Sequence, residues 1–168
     1  MKAKLMINNK EFEVEISEEE FKRLEEKPKR KGYERVELGE KYYFVDEDGN
    51  VCGRYKGNVH DDDSLHVIDN CYSDSTIAEN NAHADKLMRQ LRRFAVENRQ
   101  NALDWDKSAQ DKYYIFFNHN INKPLIENNQ FIHTYGTIYF DSYATAELAI
   151  DTFRDDLVWY FTEYKDSL

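Results

Sequence analysis

Hydrophobic and polar positions alternate from the start of the chain. Leu5 and Ile7 form one run, Phe12, Val14 and Ile16 a second, and Asn8-Asn9-Lys10 separates them, a pattern that predicts a β-hairpin closed by an Asn-rich turn. Ser17 with Glu20 three residues later has the spacing of a capping box, so a helix is expected next, with Phe21 and Leu24 facing inward and an end before Pro28. The basic link Lys27, Lys29, Arg30 and Lys31 runs to Gly32, where a boundary is placed. Residues 1–32 thus read as a hairpin-helix element and residues 33–168 as a second domain with approximate halves 33–100 and 111–168.

Those halves echo each other. Lys41-Tyr42-Tyr43-Phe44-Val45 runs into Asp46-Glu47-Asp48-Gly49-Asn50, and Lys112-Tyr113-Tyr114-Ile115-Phe116-Phe117 runs into Asn118-His119-Asn120. Each is an aromatic strand closing on a polar turn. Further on, Tyr72-Ser73-Asp74-Ser75 precedes Ala78-Glu79, and Tyr139-Phe140-Asp141-Ser142 precedes Ala146-Glu147: a strand end, a capping residue, then a helix. Duplication and independent use of common strand-turn-cap chemistry explain the echo equally well. The first long helix is expected from about Thr76 to Arg99, with Ile77, Ala84, Leu87, Leu91, Phe94 and Ala95 inward and Lys86, Arg89, Arg92 and Arg93 opposite. The second is expected from about Tyr143 to Tyr164, with Ala146, Ala149, Ile150, Phe153, Leu157, Tyr160, Phe161 and Tyr164 inward. The fold class that follows is α+β: an N-terminal β-hairpin plus helix, then two β-rich units each closed by a long helix.

Charge changes the picture of partners. The 168-residue chain has net charge −10, which disfavours phosphate backbones and anionic membranes and favours basic proteins. The charge is concentrated: between Glu34 and Asp74 there are eleven acidic and four basic residues. Asp46, Glu47 and Asp48 in one loop and Asp61, Asp62 and Asp63 in another are the expected partner-binding carboxylates. Asp155, Asp156 and Glu163 form a second patch around Trp159, which projects away from the core stripe of its helix. An exposed Trp among carboxylates would anchor a partner; a Trp covered by another element, such as the N-terminal hairpin or helix, would be core. The basic stripe on the first long helix reads as neutralising the chain's own acidic loops.

Motifs for chemistry are absent. Asp46, Asp48 and Asn50 alternate like a calcium loop, but Gly49 comes fourth and Gly57 stands where a bidentate Glu is needed. His60, Asp61, Asp62, Asp63 and His66 include metal-ligating types without ligand spacing from a second element. No GxSxG, catalytic Cys signature or phosphate-binding loop occurs. Cys52 and Cys71 form no CxxC pair, and two thiols suit a cytoplasmic protein. The expectation is a non-enzyme with no cofactor and no metal, of unspecified oligomeric state.

Tyr42-Tyr43-Phe44 with Asp48-Gly49, the stretch Asp61-Asp62-Asp63 to Asn70, Lys112-Tyr113-Tyr114-Ile115, and Tyr139-Phe140-Asp141-Ser142 with Ala146-Glu147 together resemble a family of small accessory proteins of phages and prophages of Gram-positive bacteria. The resemblance covers most of residues 41–160 and implies a context: counter-defence in the host cytoplasm, in the manner of anti-CRISPR inhibitors that set carboxylates where a nucleic-acid backbone would lie. It implies a basic nucleic-acid-handling partner, Cas9 among them. The alternatives are a structural or regulatory interaction module without such mimicry, and a metal-dependent enzyme using the segment around Asp61.

Overall fold

A computed structural model describes residues 2–7, 10–15, 17–19, 31–57, 60–107 and 109–164. The chain divides into two compact units, Met1–Lys31 and Gly32–Leu168. In the first, β1 (Lys2–Ile7) pairs antiparallel with β2 (Lys10–Glu15). The register sets Ala3 opposite Val14 and Leu5 opposite Phe12. On the alternate positions Lys2 stands opposite Glu15 and Lys4 opposite Glu13, so like is matched with like or with opposite charge over the first four pairs, while Met6 and Ile7 face Glu11 and Lys10. Glu18 and Glu19 are helical; the rest of the helix expected there, with Phe21 and Leu24, lies outside the described residues.

The second unit mixes helices with two small sheets. Strands β3 (Lys41–Val45) and β4 (Val51–Tyr55) form an antiparallel hairpin. After it come α1 (His60–Val67) and α2 (Ser75–Asn98). Strands β5 (Lys112–Asn118), β6 (Lys123–Asn129) and β7 (Tyr139–Phe140) form a sheet of order β6-β5-β7, followed by α3 (Tyr143–Thr152) and α4 (Arg154–Thr162). The two halves are wired alike. Tyr72 returns to pair with Tyr43 through reciprocal backbone hydrogen bonds of 2.8 Å, and Tyr139 returns to pair with Tyr114. Each return is followed at once by a capped helix. Asp74 Oδ1 accepts from the Thr76 and Ile77 amides at 2.8 and 3.1 Å, and Ser142 Oγ accepts from the Thr145 amide at 3.1 Å, satisfying donors that the first helical turn leaves orphaned.

Helix α2 buries Ala78, Ala84, Leu87, Leu91 and Ala95, close to the expected stripe. Ile77 is only half-buried and Ala78 takes the fully buried place; Gly32 closes on Ile77 from outside the helix. A Cβ at Gly32 would lie 2.6 Å from Ile77 Cγ1, and its φ is +102°, so only glycine fits there. The main core joins Leu87, Leu91 and Ala95 to Phe140, Ala146, Ala149, Ile150 and Leu157. A smaller one joins Val36, Tyr42 and Cys71, with Phe44 and Leu65 packed against it.

The single helix expected from Tyr143 to Tyr164 is two helices that break at Phe153. No Gly or Pro marks the break. Thr152 Oγ1 donates to the Leu148 carbonyl at 2.7 Å, a back-bond that bends helices, and Phe153 leaves helical geometry with ψ of 24°. The adjoining bonds persist, from the Phe153 amide to Ala149 and from the Leu157 amide to Phe153. The bend leaves the Phe153 ring edge-on to Phe94, with centroids 5.6 Å apart.

Lys41 and Lys112 begin equivalent strands and meet opposite fates. Lys41 is exposed. Lys112 is wholly buried: its Nζ donates to the carbonyls of Lys107, Gln110 and Gln130 at 3.2, 2.9 and 3.3 Å and lies 5.0 Å from the Trp105 ring centre. Three acceptors match the three protons of an ammonium, so this lysine ties the 99–111 connection to the segment after β6. Lys112→Met strands those carbonyls and is expected to cost about 2–4 kcal/mol, whereas Lys41→Met stays within about 0.5 kcal/mol. Urea denaturation of both variants checks the difference.

Candidate partner-binding surface

The β3–β4 turn is organised by one of its own carboxylates. Asp46 Oδ1 accepts from the Asp48 and Asn50 amides at 3.0 and 2.8 Å, and the Gly49 amide donates to the Asp46 carbonyl at 3.0 Å. Gly49 sits at φ +86°, the left-handed conformation such a turn requires. The hydrogen bond from the Asn50 amide is the main cause holding the Asp46 carboxyl below its ordinary range. Asp46 is therefore committed to the turn, while Glu47 and Asp48 are exposed.

This turn forms one wall of a groove of about 510 Å³. The segment Ile68–Asn70 and Tyr72 form another, and Ala82, Asp85 and Arg89 of α2 form the third. Asp46, Glu47, Asp48, Asp69 and Asp85 thus converge against one guanidinium. Asp69 and Asp85 were not legible as site residues. Asp69 is delivered by a left-handed turn at φ +55° after α1, and Asp85 belongs to a helix face set by the stripe at Ala84 and Leu87. Arg89, of the basic stripe, lines the same groove without an ion pair among the described residues. Arg93 is engaged elsewhere, with Glu97 at 2.7 Å.

The segment carrying Asp61, Asp62 and Asp63, expected as an acidic loop, is instead the first turn of α1. Acidic residue types are favoured in a helix's first turn, near the positive end of its dipole, which offsets the modest helix propensity of Asp. Asp63 pairs with Arg35 in an exposed contact, which contributes little to stability. At the other end of α1, Leu65 packs on the smaller core. His66 Nε2 is buried with no hydrogen-bond partner among the described residues. Burial first, then the Arg35 and Lys56 charges, hold the imidazole below its ordinary value, while Asp63 and Asp69 pull the other way.

Trp159 is half-buried, and α2 supplies a cover for it. The His83 ring stacks on the indole at 3.8 Å, and His83 Nε2 meets Asp156 Oδ1 at 2.8 Å. Asp156 is thus drawn into an internal pair, while Asp155 and Glu163 stay exposed. Tyr164 flanks the indole at 5.6 Å, and its hydroxyl donates to Asn81 Oδ1 at 2.5 Å. Asn81 Nδ2 donates in turn to the Tyr33 hydroxyl at 2.7 Å.

Another hollow, about 440 Å³, lies between the β5 strand, α2 and α4, lined by Leu and aromatic side chains such as Phe117, Tyr160 and Phe161. Beside it, on the segment from β6 to β7, Phe131, Ile132 and Tyr135 are exposed. His119 and His133 have separate aromatic partners, Phe117 and Trp105. Among the described residues no three His, Cys, Asp or Glu side chains are grouped to hold a metal ion, and no helix is long and apolar enough to cross a membrane.

Two measurements follow from this geometry. The neutral His66 stabilises the docked α1 fully above the ordinary imidazole value of about 6.5. That contribution falls away as pH drops below it, because the unfolded segment binds the proton more readily. Amide exchange over residues 60–67 should accelerate between pH 7.5 and 5.5 beyond the intrinsic pH effect, and His66→Gln should flatten that rise. Trp159→Ala removes a half-buried stacked ring and is expected to cost about 2 kcal/mol in urea denaturation, less than the loss of a fully buried Trp.

Comparison with protein-family models, with curated proteins and with solved structures finds no match to this chain.

Proposed function

We propose that this chain is a non-enzymatic acidic inhibitor that docks on a basic host protein handling nucleic acid, occupying the groove where a phosphate backbone would lie. Cas9 is one protein of that kind, and the host cytoplasm is the corresponding setting. The observation that carries the reading is the groove in which Asp46, Glu47, Asp48, Asp69 and Asp85 face Arg89 alone, on a chain of net charge −10. A groove of that sign attracts Lys and Arg side chains and repels phosphate. Its turn is held by hydrogen bonds before any partner arrives, which lowers the ordering cost of association. Asp61, Asp62, Asp63, Asp155 and Glu163 extend the negative field. Trp159 serves as a secondary contact through its open edge.

A second reading, an interaction module without nucleic-acid mimicry, draws on the exposed Phe131, Ile132 and Tyr135, which suit an apolar partner surface. Salt separates the two. Capture from host lysate should retain a basic nucleic-acid-binding protein at low salt and release it as salt rises. With the captured protein purified, Glu47→Gln, Asp48→Asn and Asp85→Asn together should slow association about tenfold and flatten its salt dependence, with melting unchanged. A salt-insensitive complex with a neutral or acidic scaffold, unaffected by the triple substitution, would remove the mimicry reading and favour the apolar one.

A further inference from the structure

Beyond the acidic groove, the C-terminal half of α2 forms a pocket of opposite character. Arg92, in the last turns of α2, and Arg99, the extended residue that ends the helix, both line a hollow of about 290 Å³. Ala95 and Val96 lie between them, and Leu103, Ile138 and Tyr139 complete an apolar wall. Trp105 and His133 close the other side, their rings parallel within 5° and 4.4 Å apart. Tyr139 holds the indole edge-on at 4.9 Å. The buried ammonium of Lys112 braces the indole from 5.0 Å, so this aromatic wall is anchored by the fold.

The charges of this pocket do not cancel. Among the described residues neither Arg92 nor Arg99 has an ion-pair partner, although the chain has ten more acidic than basic residues. The one carboxylate lining the hollow, Asp141, is engaged. Its Oδ2 accepts from the Gln100 and Asn101 amides at 2.7 and 2.9 Å, and its Oδ1 accepts from Thr145 Oγ1 at 3.3 Å. Two guanidiniums on the rim of an apolar, aromatic-walled hollow are suited to a planar body carrying an oxyanion, which Arg grips with paired hydrogen bonds. The volume lies near the lower end of ligand pockets, roughly 300–1,000 Å³, which limits the guest to a small molecule.

We infer that this pocket binds a small planar apolar molecule bearing one carboxylate or phosphate, held by Arg92 and Arg99 against the Trp105–His133 wall. The site uses different turns of α2 from the acidic groove and does not depend on the function proposed above. The probes are 2-naphthoate and 2-naphthyl phosphate, with 2-naphthamide as the uncharged control, titrated by calorimetry into the whole protein. At least one anion should bind saturably at one per chain with sub-millimolar affinity, and the amide should bind at least tenfold more weakly. Arg92→Gln with Arg99→Gln should lose about tenfold or more in anion affinity. Arg93→Gln, on an exposed neighbour of the same helix, should leave it unchanged. Circular dichroism and melting of each variant confirm that the fold survives. The inference is overturned if neither anion binds by about 5 mM, if the amide binds equally well, or if the double substitution leaves affinity intact, which would assign binding to the neighbouring apolar hollow.

Discussion

The apolar side of α2 has to satisfy the first sheet and the two last helices along one rod. Its 24 residues give a length of about 36 Å. The N-terminal turns meet β3 and β4, and the later turns meet α3 and α4. Leu87 and Leu91 sit in the main core with Phe140 and Leu157, while Ala78, with no exposed surface, allows the close approach near the Tyr43–Tyr72 pairing. The buried positions run from Ala78 and Ala84 through Leu87 and Leu91 to Ala95. The charges on α2 follow from that constraint: Asp85 and Arg89 fall beside the first sheet's turn, and Arg92 and Arg99 beside the second half's aromatic wall.

That arrangement explains how an acidic chain carries two surfaces of opposite sign. Arg89 lies in a groove with five carboxylates, and Arg93 pairs with Glu97. Arg92 and Arg99 lean toward a face whose one nearby carboxylate is spent on backbone amides. A basic stripe along a helix is therefore not one functional unit. Its members are sorted by which half of the molecule each turn happens to meet.

Much of the local structure was legible because it is local. The strands from Lys41 and Lys112, the Asp74 and Ser142 caps and the extent of α2 follow from alternation, capping chemistry and helical periodicity. What escaped depended on contacts distant in sequence or on side-chain competition with the backbone. Asp61–Asp63 looked like a loop because Asp is a poor helix former in mid-helix, but the first turn is where it is favourable. The break at Phe153 is accompanied by a threonine bond to its own helix, for which composition gives no sign. Trp159 was recognised as standing apart from its stripe; that His83, 76 positions earlier, would cover it was not. The groove's Asp69 and Asp85, and the pairing of Arg92 with Arg99 across Trp105, emerge only when the two halves wrap one helix.

The return pairings at Tyr72 and Tyr139 have a consequence for the stretch of chain that each encloses. In each half the hairpin and the capped helix are locked together by a residue or two of ladder, and the chain between them is left out of that lock. In the first half this interval carries α1 with its carboxylates; in the second it carries the exposed Phe131, Ile132 and Tyr135. The intervals differ in length and chemistry while the lock is the same. Each interval is nonetheless stitched to its frame, by Leu65 and Asn70 in the first half and by the Tyr139 hydroxyl bound to Ile132 and Thr134 in the second, so the surface it presents is held in place by the frame that the lock closes.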